Sequence, residues 1–315
     1  MVKTQRYRTL IPLLKVGVAG LLLGGLGLYL DPVRLWEKLQ QLEAGALWMA
    51  LAFSALGVVV QWVKWQRLLL SCRPQTPWRT GLHSLLIGFA LGFWSPGRVG
   101  ELGRGMLLGG EQTTWVGLAV VDRICSATTC VLWGWVGLAL LYPAGAGAVL
   151  GVLVLGAGLG ALSWSRLKAR VVQWQWIGQV GAVVGQTPGT LWLQVYIWSL
   201  LFNLVFFAQF YLLLASWGPL PLEAVWGIPL FFGIKVLLPF SIMDLGVREG
   251  VAVAVFSRLQ LDPAVAFNAA FLQFVFNVLV PGLVGLLLLY RHVDQRLGRG
   301  EFLKGLSTLS LEMRR

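Results

Sequence analysis

Apolar runs of about twenty residues recur along this chain from end to end, and each is long enough to cross a bilayer as a helix. We place them at approximately 11–30, 45–70, 115–141, 145–163, 190–217 and 264–290. A transmembrane barrel would instead show segments of about ten residues with alternating hydrophobicity, a pattern that this sequence lacks. The predicted fold class is therefore an all-α polytopic integral membrane protein, forming a single membrane domain over 1–315.

The charge content supports this class. Only 12% of the residues are charged, against roughly 25% in soluble domains, so the chain cannot coat a water-facing surface. The net charge of +12 would suggest a nucleic-acid partner in a soluble protein. Here the excess lies in short loops and at the ends, as the positive-inside bias predicts, and we expect no nucleic acid. Sixteen tryptophans, many near the ends of the runs, fit an interfacial belt.

Cysteine and histidine give no sign of a metal site. The three cysteines, Cys72, Cys125 and Cys130, form no CxxC pair, and the two histidines, His83 and His292, are far apart in the sequence. We predict neither a metal, nor a cofactor, nor a disulfide framework.

Basic residues set the predicted orientation. The run at 11–30 follows three of them, is too long for a signal core and lacks a cleavage pattern, so we read it as an uncleaved span that starts inside. Lys64 and Arg67 are expected to snorkel from the end of the second span. The prediction is a multi-pass protein of the plasma (inner) membrane with both termini cytoplasmic.

Two stretches cannot be single crossings under this orientation. The stretch 80–114 has both ends inside, and it divides into an apolar half at 82–94, a Ser-Pro-Gly break and a half at 98–110. The stretch 219–262 has both ends outside and divides around a break at 239–246. We predict two re-entrant helical hairpins that enter from opposite faces, since broken backbone is tolerated at that depth when it is covered.

Each hairpin lies between two spans, which gives units at 45–141 and 190–290 with opposite orientation. This arrangement is typical of an inverted-topology repeat whose broken helices meet near the midplane. The basic and tryptophan-rich segment 164–188 is either an interfacial helix or an ordinary connecting loop. Residues 291–315 form a basic cytoplasmic tail.

The first break carries charges every third residue, at Arg98, Glu101 and Arg104, so that they share a broad helical face. Glu101 can pair with either arginine, which leaves a positive charge beside a helix N-terminus. That combination suits an anion, and arginine suits phosphate in particular. The alternative is that the charges pair internally and only lock the hairpin; ionisable groups at this depth are functional candidates by default.

The second break offers Ser241, Asp244, Arg248 and Glu249, with Gly246 freeing the backbone for a turn. Arg248 and Glu249 are adjacent and so do not share a face. Lys235 either neutralises an acid here or snorkels. Asp122 and Arg123 are expected to pair with the hairpin charges. Interhelical hydrogen bonds account for four polar residues within the apolar runs: Asn203, Gln209, Gln273 and Asn277. Asn277 together with Pro281 also suggests a local unwinding of the last span.

These motifs resemble the membrane domain of lysylphosphatidylglycerol synthases and of free-standing proteins that share this flippase-like domain. The likeness covers about 10–290. It rests on Pro96-x-Arg98-x-Gly100-Glu101-x-x-Arg104, on Asp122-Arg123, and on Pro239-x-Ser241 through Gly246-Val247-Arg248-Glu249-Gly250. Asp244 departs from the family, whose turn often has glycine there. Only about 25 residues follow Arg291, too few for a synthase domain, so lysyl transfer is not expected.

The resemblance implies a protein that moves an anionic or aminoacylated phospholipid between leaflets. The substrate site would then comprise Arg98, Glu101, Arg104, Asp244, Arg248 and Glu249, with the arginines holding phosphate. Two alternatives stay open: a secondary transporter of a soluble anion, and an intramembrane enzyme acting on lipid-linked phosphates. The expected partner is a membrane lipid, and the oligomeric state, a homo-oligomer included, is left open.

Overall fold

The structure, a computed structural model, describes residue 20 and residues 24–93, 95, 98–149, 151, 175–238 and 245–292. Over these residues it contains helices and no strand, which confirms the all-α prediction. The helices are α1 (Pro32–Gln40), α2 (Ala44–Cys72), α3 (Trp78–Phe93), a 3₁₀ helix (Val99–Leu107), α4 (Gln112–Leu141), α5 (Gln175–Gln186), α6 (Gly189–Ala215), α7 (Leu222–Leu237), α8 (Val247–Arg258) and α9 (Pro263–Phe274) with a π-helical turn (Val275–Leu279).

Four helices are long and apolar enough to cross a membrane: α2, α4, α6 and the continuous helix Pro263–His292 that begins with α9. They contain 27 to 30 residues, and at about 1.5 Å per residue they exceed the thickness of a hydrocarbon core. Their bounds agree with four of the predicted runs. The predicted spans at 11–30 and 145–163 lie largely outside the described residues. The chain is a multi-pass membrane protein.

Between these spans lie helices that are too short to cross. α3 and α7 contain 16 residues each, α8 contains 12 and the 3₁₀ helix contains nine, so the longest reach only about 24 Å. They occupy the positions of the four predicted half-helices. Pro96 at the first break, and Ser241 and Asp244 at the second, lie outside the described residues. The re-entrant path and the inverted repeat stay predictions.

Two apolar clusters form the core. The first packs α2, α3 and α4 around residues such as Trp65, Leu85 and Leu118. The second packs α6, α7 and α8 around aromatic rings, with the Phe210 centroid 4.8 Å from that of Phe231 and 5.6 Å from that of Phe256. Large side chains therefore fill both clusters.

The clusters are joined where α4 crosses α7, glycine against glycine. A Cβ placed on Gly134 would lie 2.6 Å from the Cα of Gly233, and the reverse distance is the same. Small residues let transmembrane backbones approach closely and pack without a hydrophobic driving force. This crossing joins the two halves of the described chain, together with the packing of α2 on α6.

The last span is not a regular α-helix. Its π-helical turn contains Asn277, and Pro281 follows at a spacing at which the proline ring crowds the carbonyl of the residue four positions earlier. The Ser54 hydroxyl donates a hydrogen bond of 2.7 Å to the Phe276 carbonyl in the same turn. The irregularity suggested by Asn277 and Pro281 thus takes the form of a π turn.

The segments at the two ends of the second unit are only partly described. Of the predicted linker 164–188, the residues of α5 are helical and 164–174 lie outside the described residues. Of the tail 291–315, residues 293–315 lie outside them. The predicted unit boundaries therefore stay predictions.

Candidate functional site

The first break presents its charges on a 3₁₀ helix. This helix has three residues per turn, so Arg98, Glu101 and Arg104 lie in one row along it. Arg98 caps the helix with a left-handed φ of 57°, a conformation uncommon for a side chain of its size. The Gly100 N–H donates to the Ser95 hydroxyl at 2.6 Å, and a Cβ on Gly100 would collide with the Leu91 carbonyl. The segment therefore packs tightly on α3.

The two arginines of this row have different partners. Arg98 forms an ion pair with Glu101, whose other carboxylate oxygen lies 2.9 Å from Nη1 of Arg123 on α4. Arg104 pairs with Asp122 on α4, with Nη2 2.6 Å from Oδ2. From the sequence alone, Glu101 could pair with either Arg98 or Arg104. The structure gives it Arg98 and Arg123, because Arg104 faces the carboxylate of Asp122.

Lys64 completes the network and corrects a sequence-based expectation. Its side chain is fully buried, with Nζ 2.7 Å from Oδ1 of Asp122 and 2.7 Å from the Ser126 hydroxyl. The expectation that Lys64 snorkels to the interface is therefore wrong. Lys64 lies about two turns inside α2, and Asp122 lies about three turns inside α4. The sequence signal for this ion pair was the presence of opposite charges, Lys64 and Asp122, inside two successive apolar runs.

Asp122 thus joins three elements. It accepts Lys64 from α2 and Arg104 from the 3₁₀ helix, and all three side chains are buried. The Arg104 guanidinium also lies 4.2 Å from the ring centroid of Trp65, in the range of a cation–π contact. A buried ion group of this kind is tolerated when each member is paired, and removal of one member is strongly destabilising.

A cavity of about 330 Å³ opens beside this network, a size that suits a small ligand or a headgroup. Its charged lining, among the described residues, consists of Arg98, Glu101, Asp122, Arg123 and Lys235. The rest of the wall is partly apolar, with Phe202, Phe206 and Phe232, and partly neutral and polar, with Gln61, Ser126, Asn203 and Asn277. Side chains of both halves of the chain therefore meet around one space.

The described charged residues that follow the second break lie outside the lining of this cavity. Arg248 is buried, with its guanidinium 5.4 Å from the centroid of the Phe274 ring. Glu249 is fully buried and accepts a 2.7 Å hydrogen bond from the N–H of Gly246, whose φ is 80°. Neither is among the described residues that line the cavity. Of the predicted site residues, Arg98 and Glu101 line the cavity. Arg104 is not in the lining but pairs with Asp122, which is.

The intramembrane amides make interhelical contacts. Asn203 donates to Thr129 at 2.9 Å, Asn277 donates to Gln209 at 2.6 Å, and Gln209 donates to the Ala50 carbonyl at 2.8 Å. Gln273 donates to the Phe206 carbonyl at 3.2 Å. Asn203 and Asn277 also line the cavity, a role that no sequence pattern distinguished from simple helix pairing.

Metal ligands are not grouped in the described part of the chain. No set of three or more histidine, cysteine, aspartate or glutamate side chains is close enough there to hold an ion. Cys125 and Cys130 are buried free thiols, and Cys72 is exposed.

Comparison with known proteins agrees with the sequence motifs. A family model described as the lysylphosphatidylglycerol synthase TM region matches residues 13–285, which confirms the resemblance and suggests a membrane protein related to lipid handling. Neither a curated protein nor a solved structure matches the chain. Because the match extends over most of the 315 residues, the chain belongs to the family of the lysylphosphatidylglycerol synthase transmembrane region.

Proposed function

We propose that this protein is a flippase-like translocase that moves a lipid with an anionic phosphate headgroup between the leaflets of the inner membrane. The headgroup occupies the cavity, and the acyl chains stay in the surrounding lipid. The observation that carries the proposal is the lining itself, in which cations and phenylalanines lie side by side among membrane-spanning helices.

The cations suit a phosphate. Arg98 and Arg123 are both held by Glu101, which fixes their guanidinium groups at the cavity wall. A fixed guanidinium can donate parallel hydrogen bonds to phosphate oxygens, and it does so at low entropic cost. Lys235, in the last turn of α7, adds a third cation to the lining. In this proposal Arg104 positions Asp122, and through it the cavity wall.

The path of the chain is part of the proposal. α3 with the 3₁₀ helix, and α7 with α8, form two re-entrant hairpins that enter from opposite faces, with both termini cytoplasmic. Each pair consists of helices that are too short to span. An inverted repeat of this kind places a substrate site between its broken helices.

The apolar wall favours a lipid over a soluble anion. Phe202 and Phe206 have ring centroids 4.3 Å apart, and Phe206 lies 6.3 Å from Phe232. Such a wall suits the first methylenes and the glycerol backbone of a lipid. A site for a small hydrated anion would be expected to have polar groups on every side.

The test is a leaflet-resolved assay in proteoliposomes. A fluorescent phosphatidylglycerol is placed in both leaflets, and a membrane-impermeant reductant reports how fast the inner pool reaches the outside. Arg98→Ala is expected to slow this exchange by about tenfold, because a charged hydrogen bond contributes about 1.5–3 kcal/mol. The matched control is Arg67→Ala, which removes an exposed arginine outside the described cavity lining.

Three results decide the matter. Exchange no faster than in empty liposomes rejects translocation. Equal rates for the native protein and Arg98→Ala reject the role of Arg98. Flux of trapped inorganic phosphate without lipid exchange favours the soluble-anion transporter instead.

A further inference from the structure

Three carboxamide side chains from three membrane-spanning helices line the cavity: Gln61 of α2, Asn203 of α6 and Asn277 of the last span. All three lie outside the charged motifs of the two breaks. A neutral polar side chain within a span is ordinarily explained by a hydrogen bond to a neighbouring helix. That explanation accounts for only part of what these three amides offer.

Gln61 is not explained by helix pairing. Within the part of the chain that the structure describes, its amide makes no hydrogen bond, although the residue lies well inside α2. It precedes Lys64 by one turn, so its side chain lies on the side of α2 that meets the ion network. Because an amide without a hydrogen bond is costly to bury, Gln61 offers both a donor and an acceptor to whatever fills the cavity.

The hydrogen bond of Asn203 determines which end of its amide stays open. Its Nδ2 donates to the Thr129 hydroxyl oxygen at 2.9 Å. The Thr129 proton is used within α4, in a 2.8 Å bond to the Cys125 carbonyl, so the Thr129 oxygen can only accept from Asn203. The Asn203 Oδ1 has no bond to a described residue, and Asn203 is only 6% exposed. This oxygen is therefore available to the cavity that the residue lines.

Asn277 is oriented in the same way by its neighbours. Its Nδ2 donates to Gln209 Oε1 at 2.6 Å and to the Gln273 carbonyl at 3.1 Å, which uses both amide protons. Gln209 in turn donates from Nε2 to the Ala50 carbonyl at 2.8 Å. A backbone carbonyl can only accept, so the direction of this chain of bonds is fixed at both ends. Asn277 consequently presents its oxygen to the cavity.

Two open carbonyl oxygens and one unpaired amide favour a ligand that donates hydrogen bonds. A phosphodiester has no proton to donate, and its oxygens find their partners among guanidinium groups. The amide oxygens are satisfied only if the ligand carries O–H or N–H groups beyond its phosphate. A site built to bond such a group rejects an analogue that lacks it, because the polar groups of the site are then left unpaired.

We propose that Gln61, Asn203 and Asn277 form a headgroup subsite that selects for hydrogen-bond donors: a phosphodiester headgroup with hydroxyl or N–H groups is preferred to one that lacks them. The inference rests on the proposed function for the entry of a lipid headgroup into the cavity. It deepens that function, because it assigns recognition of the headgroup beyond its phosphate to three uncharged residues.

Lipid retention by the purified full chain tests the subsite separately from transport. The protein in detergent is equilibrated with equimolar phosphatidylglycerol and phosphatidylmethanol of identical acyl chains, and the bound lipid is identified by native mass spectrometry. The two headgroups carry the same charge, but only glycerol adds hydroxyls. Phosphatidylglycerol is expected to be retained about tenfold more, the effect of one or two neutral hydrogen bonds. Equal retention, preference for phosphatidylmethanol, or no retained lipid overturns the inference.

A variant of Gln61 distinguishes donor selection from general lipid adhesion. Gln61→Met keeps the length of the side chain and removes the amide, so the ratio of the two lipids is expected to fall several-fold. Thermal stability should stay unchanged, since Gln61 has no hydrogen bond to a described residue. Gln112→Met makes the same change at an exposed position outside the described lining and should leave the ratio unchanged. An unchanged ratio in Gln61→Met, or an equal fall in both variants, contradicts the role of Gln61.

A second variant tests an open oxygen. Asn203→Val removes Oδ1 together with the bond to Thr129, so some loss of stability is expected as well. Both lipids compete for the same folded protein, and their ratio therefore does not depend on how much of the variant folds. The ratio is expected to fall several-fold. A loss of stability with an unchanged ratio would assign Asn203 to helix pairing alone and remove it from the subsite.

Two further arms separate the possible outcomes. Lipid that stays bound in excess soluble glycerol 3-phosphate assigns the donor-bearing ligand to the membrane, whereas displacement assigns it to a soluble phosphate ester and overturns the lipid part of the inference. Selective retention together with no exchange in proteoliposomes rejects translocation and leaves the subsite standing. Equal retention of both lipids together with exchange of both at one rate rejects the subsite and leaves translocation standing.

Discussion

The two breaks of the chain each carry an arginine and a glutamate, yet they use them in different ways. At the first break, Arg98 and Glu101 are one 3₁₀ turn apart, pair with each other and reach Arg123 on α4. At the second, Arg248 and Glu249 are neighbours in sequence. Glu249 turns back to the N–H of Gly246, and Arg248 packs beside Phe274.

Spacing explains the difference. Residues three apart on a 3₁₀ helix lie on one line, so their charges add to one surface and can be bridged by a neighbouring helix. Adjacent residues on an α-helix point about 100° apart and cannot share a partner in this way. The first break is therefore a network among elements, whereas Glu249 makes a local contact of the kind that completes a helix cap.

The largest expected effect comes from breaking the network at its centre. Asp122→Asn leaves Lys64 and Arg104 buried without their shared counter-charge, and we expect a loss of about 3–5 kcal/mol in the free energy of unfolding. Equilibrium unfolding in mixed micelles, followed by tryptophan fluorescence, measures it. Asp122→Glu keeps the charge and serves as the control. Native stability of Asp122→Asn would show that the three charges are not a unit.

An intermediate effect on stability is expected at the crossing of α4 and α7, where the two halves of the described chain meet. Gly134→Ala places a Cβ against Gly233 at the crossing of α4 and α7, and overpacking of this kind costs about 1–3 kcal/mol. The same unfolding assay applies. Gly147→Ala, at a helical glycine with open space around it, provides the comparison, and equal stabilities of the two variants would mean that the crossing is not close-packed.

The smallest effect is expected at the second break. Glu249→Gln keeps an oxygen that can accept from the Gly246 N–H, so the loss should stay within about 1 kcal/mol, the size of a cap interaction. It is the same carboxylate-to-amide change as Asp122→Asn, measured in the same assay. A loss as large as that of Asp122→Asn would show that Glu249 also belongs to a buried charge network and would remove the contrast between the two breaks.

Much of the fold was predictable because the bilayer limits the choices. Runs of apolar residues long enough to cross it must be helices, and α2, α4, α6 and Pro263–His292 appear within about three residues of the predicted bounds. The short helices on either side of each break also followed, since the orientation of the flanking basic residues left no room for a single crossing. The 3₁₀ geometry of Val99–Leu107 could not be predicted from the sequence, because charges three residues apart lie on one side of both a 3₁₀ helix and an α-helix.

The site was predictable only in part. Arg98 and Glu101 stood out as charges where the surroundings are apolar, and both line the cavity. Lys64 did not stand out as a site residue, because a lysine near the end of a span is ordinarily explained by snorkelling. Only the position of Asp122 across the helix interface makes burial the better outcome for Lys64.

The sequence by itself determined the class of the protein, the four spans that the structure describes and the residues that carry charge into them. Hydrophobic length and the penalty on buried charge are local properties of a chain in a bilayer. The tertiary structure alone decided which charges pair, that each lining carboxylate holds two cations, and that phenylalanines and amides share the cavity with them. Those facts depend on distances between helices that are far apart in sequence, and such distances are set by packing, down to a pair of glycines at one crossing.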